Sequence, residues 1–362
     1  MADETKSSRR FLKAWLALTL VLVALMVVVG GATRLTGSGL SITEWKPITG
    51  ALPPIGEAAW AEEFGKYRES PQYKLQNAGM SLGEFQFIYW WEWGHRQLGR
   101  AIGLIFAAGL LFAAVTRRVS GREGVVLFAM GLLLGMQGAI GWIMVASGLQ
   151  PGMTAVAPVK LTLHLGFALL FFSTLLLFLT HLGAFGRDPR PLSPGLRAGA
   201  HGVLALSFVQ ILLGGLVAGS KAGFTFNTWP LMDGGFAPSR EALFAVTPWW
   251  ENLVDNVAMV QFNHRIGAYL LLAAVVAYAV SAVGSGEARV AARAKWLAGL
   301  MVAQAALGIA TLLLVVPIEL GLAHQFGAVV VLGVAVVNFA LMAQAARRAR
   351  TAGAAAVPQP AE

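Results

Sequence analysis

Stretches without a single charged side chain dominate this sequence. They cover residues 14–33, 101–116, 124–159, 161–186, 198–220, 266–286, 296–318 and 320–346, and the second extends upstream through a polar start. About 20 apolar residues in helical form cross a hydrocarbon core, and only helices or closed barrels satisfy their backbone groups there. The alternation of barrel strands is absent, so the chain reads as an all-α integral membrane protein with eight transmembrane helices. A turn at Gln150, Pro151 and Gly152 ends the third. Charged residues make up 12%, against roughly 25% in a soluble domain. With no cysteine, disulfides, thiolate metal sites, iron–sulfur clusters and thiol steps are excluded.

The net charge of +9 is a topology signal. One side of the membrane collects sixteen Lys and Arg against six acids; the other has eleven against twelve. The positive-inside rule places both termini and the basic short loops in the cytoplasm, where they meet anionic lipid headgroups. A nucleic-acid partner is thereby excluded. Residues 1–10 include Asp3 and Glu4, unlike an acid-poor transit peptide, and the first apolar run is too long for a signal-peptide core. It reads as a retained helix in a bacterial inner membrane. Residues 351–362, rich in Ala and Pro, read as a disordered tail.

The chain repeats itself. Gly30, Gly31, Ala32, Thr33 and Arg34 end the first span as Gly214, Gly215, Leu216, Val217 and Ala218 end the fifth. Each then enters a longer outer loop with a Trp near a Pro (Trp45 and Pro47; Trp229 and Pro230). Gly94, His95 and Arg96 on span two match Asn263, His264 and Arg265 on span six. Spans three and seven share Gln-x-x-x-Gly at Gln137/Gly141 and Gln304/Gly308, and spans four and eight carry His164 and His324 near their starts. Four spans per half keep one orientation, so two parallel-repeat four-helix bundles are expected, related by an axis along the membrane normal. Their bounds are 11–186 and 197–347. In the outer loops, Trp60, Phe64 and Tyr67 give residues 57–73 the spacing of an amphipathic helix for the membrane interface. Residues 240–246, with Trp249 and Trp250, are expected to do the same. Lid and anchor are both open roles.

His95, His164, His264 and His324 all lie near the outer ends of inward-running spans. An imidazole inside a span is a functional candidate, and neutral imidazole is a usual axial ligand of haem iron. Pairing spans two with four and six with eight gives one bis-histidine pocket per half. His181 and His201 lie at the cytoplasmic ends and read as interfacial. Gly94, Gly99, Gly166, Gly267 and Gly327 would let a flat macrocycle approach the backbone, or serve helix packing alone. Arg96, Arg100 and Arg265 are candidates for pairing with haem propionates, with snorkelling to headgroups as the alternative. One asymmetry breaks the repeat: Glu92 lies one helical turn from His95, where the second half has Gln261. A carboxylate beside one iron only suits chemistry at one site; a salt bridge to Arg96 or Arg100 is the other reading.

Assembled, these motifs resemble those of the haem A synthase family, over roughly residues 11–347. The matching runs are residues 31–41, 92–100, 222–230 and 263–265, in order around all four histidines, and the likeness is to the proteobacterial and mitochondrial branch. The resemblance implies oxidation of the C8 methyl of haem O to a formyl through successive hydroxylations. It implies haem b as cofactor on His264 and His324, and haem O as substrate between His95 and His164 with Glu92 as the catalytic carboxylate. It further implies handover from a haem O synthase, and leaves room for a homo-oligomer. Some Gram-positive members carry a cysteine pair in the first outer loop, so a redox relay through such a pair cannot operate here. A cytochrome b-type electron-transfer subunit is the rival, but stacked haems there use two well-separated histidines per helix, whereas here each helix carries one, all at one depth.

Overall fold

The computed structural model describes residues 2–188 and 192–355. Eight of its helices are long and apolar enough to cross a membrane. They are α1 (Ala2–Leu35), α2 (Leu82–Val115), α3 (Gly121–Gly148), α4 (Pro158–His181), α5 (Pro194–Gly219), α6 (Val257–Gly284), α7 (Ala288–Leu313) and α8 (Ile318–Ala355). Local chemistry sets their starts. Ser81 and Ser120 form capping boxes with Glu84 and Glu123 at α2 and α3, satisfying amide groups left free at a helix N-terminus. Pro158 and Pro194 occupy first-turn positions, where a missing N–H costs nothing. Because α8 runs to Ala355, residues 351–355 of the expected tail are helical, in keeping with three alanines there. Residues 356–362 lie outside the described residues.

Helix neighbours fall into two groups. In one, α1 lies against α2 and α4, and α3 lies against α2 and α4; in the other, α5 lies against α6 and α8, and α7 lies against α6 and α8. Between the groups, α4 meets α5 and α8, and α1 meets α8. Leu12, Leu16, Phe106, Phe171 and Leu175 fill the first core, and Ala200, Leu271, Val275 and Leu297 fill the second. Helix α8 serves both, giving Leu332 and Val336 to the first and Val331 and Ala335 to the second. Lipid tails are as apolar as leucine, so these cores hold by close packing. Trp15 shows how close: a Cβ on Gly109 would fall 2.1 Å from its indole, whose Nε1 donates to the Ile105 carbonyl at 3.0 Å.

At the end where α1 begins and α8 finishes, Arg9 pairs with Glu123 at 2.8 Å, joining α1 to α3. Arg293 grips Asp188 with two bonds of 2.8 and 2.7 Å, fastening the link between the groups to α7. At the other end, the segment after α1 forms helices Glu57–Arg68 and Pro71–Leu75. Trp60, Phe64 and the fully buried Tyr67 pack on Phe85 and Tyr89 of α2. The face expected to meet the membrane interface is thus covered by the outer extension of α2, because that extension offers an aromatic surface of its own. The second outer segment differs again. Its expected helix shortens to the single turn Arg240–Leu243, pinned by the Asn256 side chain, and Trp249 and Trp250 remain exposed.

Candidate functional site

His95, His164, His264 and His324 stand on α2, α4, α6 and α8, each half-buried and open to the space between helices. His95 lies within electrostatic reach of His164, and His264 within reach of His324. The members of each expected pair therefore stand on helices of one group.

Each ring rests on a glycine of the helix before it. A Cβ built on Gly30, Gly141, Gly214 or Gly308 would lie 3.1, 2.8, 3.2 or 2.6 Å from the imidazole of His95, His164, His264 or His324 respectively. Four residues before three of these glycines stands a glutamine. Gln137 donates to the His164 carbonyl at 2.9 Å, with the ring Nε2 at 3.4 Å. Gln210 donates to the His264 carbonyl at 2.9 Å and reaches its Nδ1 at 3.0 Å. Gln304 does the same for His324 at 2.8 and 3.1 Å. The corresponding position on α1 is Met26, which faces Gly99. Among the described residues no hydrogen bond reaches the ring of His95. The glycine seats escape a reading that looks only beside the histidines, but the spacing held a signal: Gln210 and Gly214 repeat the Gln-x-x-x-Gly pattern of α3 and α7.

The glycines singled out beside the histidines do other work. Gly166 meets Leu212, Gly267 meets Gln210 and Gly327 meets Gln304, while a Cβ on Gly94 would meet nothing. His181 and His201 lie at the opposite ends of α4 and α5, beside Glu123 and the Arg197 carbonyl.

The rim arginines bind their own chain. Arg96 donates to the carbonyls of Ile42 (2.9 Å) and Glu44 (3.2 Å) and to Glu92. Arg100 donates to Lys46 and Pro47 at 2.9 and 3.0 Å. Arg265 donates to Phe226, Thr228 and Leu231. These guanidinium groups, expected to face propionates, are engaged because the outer segments fold back over α2 and α6 and present carbonyls to them. Glu92 is 2% exposed. It accepts from Ser41 Oγ and Ile42 N at 2.8 Å each, besides Arg96. Gln261 copies the arrangement, donating to the Ala222 and Thr225 carbonyls and accepting from Arg265. The two clips differ by one negative charge and in direction, since Glu92 only accepts whereas Gln261 also donates.

Adjacent glycines join the groups. Gly31, next to Gly30, touches Gln325 of α8, whose amide donates to the Val27 carbonyl of α1. Gly215, next to Gly214, touches Thr162 and Leu165 of α4.

A metalloporphyrin in each group would need two axial nitrogens and room between the helices bearing them. The paired, half-open imidazoles meet the first need, and the buried Nδ1 of His164 has no partner of its own. The residues fit such a group. A family model described as cytochrome oxidase assembly protein matches residues 13–336. The chain belongs to this family. Proteins named Heme A synthase are similar to it over nearly the whole length. That of Methylobacterium sp. (strain 4-46) is 58% identical over 330 residues, 90% of both chains. That of Parvibaculum lavamentivorans is 51% identical over 92% of this chain and 95% of its own. That of Bradyrhizobium sp. (strain ORS 278) is 48% identical over 96% and 94%. The matched region of this cytochrome oxidase assembly family takes in all four histidines and Glu92.

Proposed function

We propose that the chain is a haem A synthase, an oxidoreductase that converts the C8 methyl of haem O to a formyl. Two successive hydroxylations each exchange C–H for C–OH, a two-electron oxidation that takes an oxygen atom from an external donor and passes electrons to an external acceptor, and the resulting gem-diol loses water. One observation carries the reading: four imidazoles stand in two pairs, each ring against a glycine of its own helix group.

His264 and His324 would hold haem b, and His95 and His164 would receive haem O. Haem b supplies one-electron redox chemistry. The chain's residues supply orientation and charge. Gln210 and Gln304 fix the backbone at both histidines of the cofactor pair by donating to the His264 and His324 carbonyls. In the substrate pair only His164 is so fixed, which suits a site that must load and release. Glu92, one turn from His95, balances Arg96 and would favour positive charge that develops on the reacting carbon; Gln261 leaves Arg265 unbalanced in the cofactor half. The distribution of basic residues supports a bacterial inner membrane with both termini cytoplasmic and both pairs near the periplasmic face. Haem O would then pass within the membrane from a haem O synthase.

Co-expression with a haem O producer, followed by extraction and mass spectrometry of the pigments, tests the proposal. A formyl-bearing haem that depends on the chain is the expected result. Unaltered haem O with two permanently bound haems would instead mark an electron-transfer subunit.

A further inference from the structure

A porphyrin substrate carries two carboxylates, and the three arginines nearest the histidines are committed to loop carbonyls. Two other cations stand on spanning helices one turn from the site and are not committed. On α1, Leu12, Leu16, Val23 and Val27 form a buried stripe facing the bundle interior. Gly30, against the His95 ring, continues it, and Arg34 stands one turn further out on the same face. A charge on the inward stripe of a spanning helix is costly without a partner. Yet Arg34 is half-buried, and among the described residues its guanidinium makes no hydrogen bond or ion pair. On α4, Lys160 stands one turn outward of His164 and lines a crevice of about 540 Å³ with Trp142 and Gln150. Lys160 likewise makes no hydrogen bond or ion pair among the described residues. The repeat places Ala218 and Leu320 at the matching positions of the other half. At these two repeat positions only the half that carries Glu92 has a cation; Lys221 and Arg240, unpaired among the described residues, lie in the outer segment of the other half.

We propose that Arg34, assisted by Lys160, binds the propionate edge of the substrate porphyrin at the His95/His164 pair. This rests on the assignment of haem O to that pair. Arg34 is a positioning and affinity residue, and its fork suits a carboxylate. A cofactor that stays bound can do without such a grip; a substrate that must enter oriented, and leave, gains from a charge-assisted contact near the mouth.

The test is a Soret titration of the full chain in lipid nanodiscs with haem O and with its dimethyl ester, which lacks both charges. The unaltered protein should bind the acid about tenfold more tightly than the ester, as expected for a charge-assisted hydrogen bond. Arg34→Ala should lose that preference by weakening acid binding alone, and its unchanged ester binding shows that the site is still folded. Arg34→Lys should keep much of the preference, and Lys160→Ala should reduce it less than Arg34→Ala. Equal weakening of acid and ester in Arg34→Ala, or no change in either, overturns the proposal. So does an unaltered protein that fails to distinguish acid from ester, since Arg34 would then serve a lipid phosphate. His95→Ala separates the two levels: binding that persists in it sinks the assignment of haem O to this pair, not merely the role of Arg34.

Discussion

In the C-terminal group both imidazoles are held twice, by a glycine seat and by a glutamine amide; in the N-terminal group His95 has the seat alone. The rim differs the other way. The N-terminal group carries the buried carboxylate of Glu92, free cations at Arg34 and Lys160, and an outer segment packed on α2. The C-terminal group has Gln261, Ala218 and Leu320 in those places. One plan has diverged into a half built for fixed geometry and a half rich in charge. On the proposed assignment, the first half holds a passing substrate and the second a resident cofactor.

The largest expected effect comes from the histidines. His264→Ala or His324→Ala should abolish both product and the resident haem absorption, while His95→Ala or His164→Ala should abolish product and leave that absorption. Absorption lost equally from all four variants, read in purified protein, would erase the distinction between halves. Next is Glu92→Gln, which copies Gln261 and preserves the shape of the clip. Turnover should fall at least about 100-fold with haem O binding retained. If binding falls in parallel with turnover, Glu92 works by holding the outer segment rather than through its charge.

Removing a glutamine should have a smaller effect. Gln304→Leu is expected to weaken resident haem affinity about 10-fold, measured by haem transfer to an acceptor protein. Met26→Gln gives His95 the partner it lacks and should slow haem O release by a similar factor. The smallest effect lies in the first outer segment, where Lys66 meets Glu62, Glu63 and Glu44 at 2.7, 2.8 and 3.0 Å. Hydrogen bonds from Lys66 hold Glu62 below the ordinary carboxylate range, and Lys46 with Lys66 does so for Glu44. Glu62 and then Glu63 push Lys66 above its ordinary value. The carboxylates therefore stabilise the folded segment above the usual carboxylate range and cease to do so as acid protonates them. Lys66 contributes below its usual value and is lost in strong alkali. Across neutral pH the network persists, and because it is exposed, Lys66→Ala should change turnover less than about twofold, fading with salt.

Much of this was legible in the sequence. The charge-free runs match the eight spanning helices, and the four histidines fall on the expected alternate helices, since depth and order along a helix survive in one dimension. What an arginine touches does not. Arg96, Arg100 and Arg265 looked available because their partners lie some 35 to 55 positions away in outer segments with no apolar pattern to reveal how they fold back. The glycine seats were hidden for a related reason: a helix apolar all round does not announce which neighbour each face meets. Gly141 and Gly308 were noted for their spacing, yet only the packed helices show them under His164 and His324. The helix Glu57–Arg68 had the right period but was matched with the wrong partner, because lipid and an aromatic helix surface ask for the same residues.

The glycine pair at 30 and 31 gears the two pockets together. One residue backs onto the ring of His95; the next backs onto Gln325, the immediate neighbour of His324, and the Gln325 amide is tied to α1. Any turn of α1 that re-seats the first ring must drag on the segment bearing the last. On the proposed assignment, a haem arriving at the first pair would press on the helix that carries the last histidine, across a seam only one side chain thick.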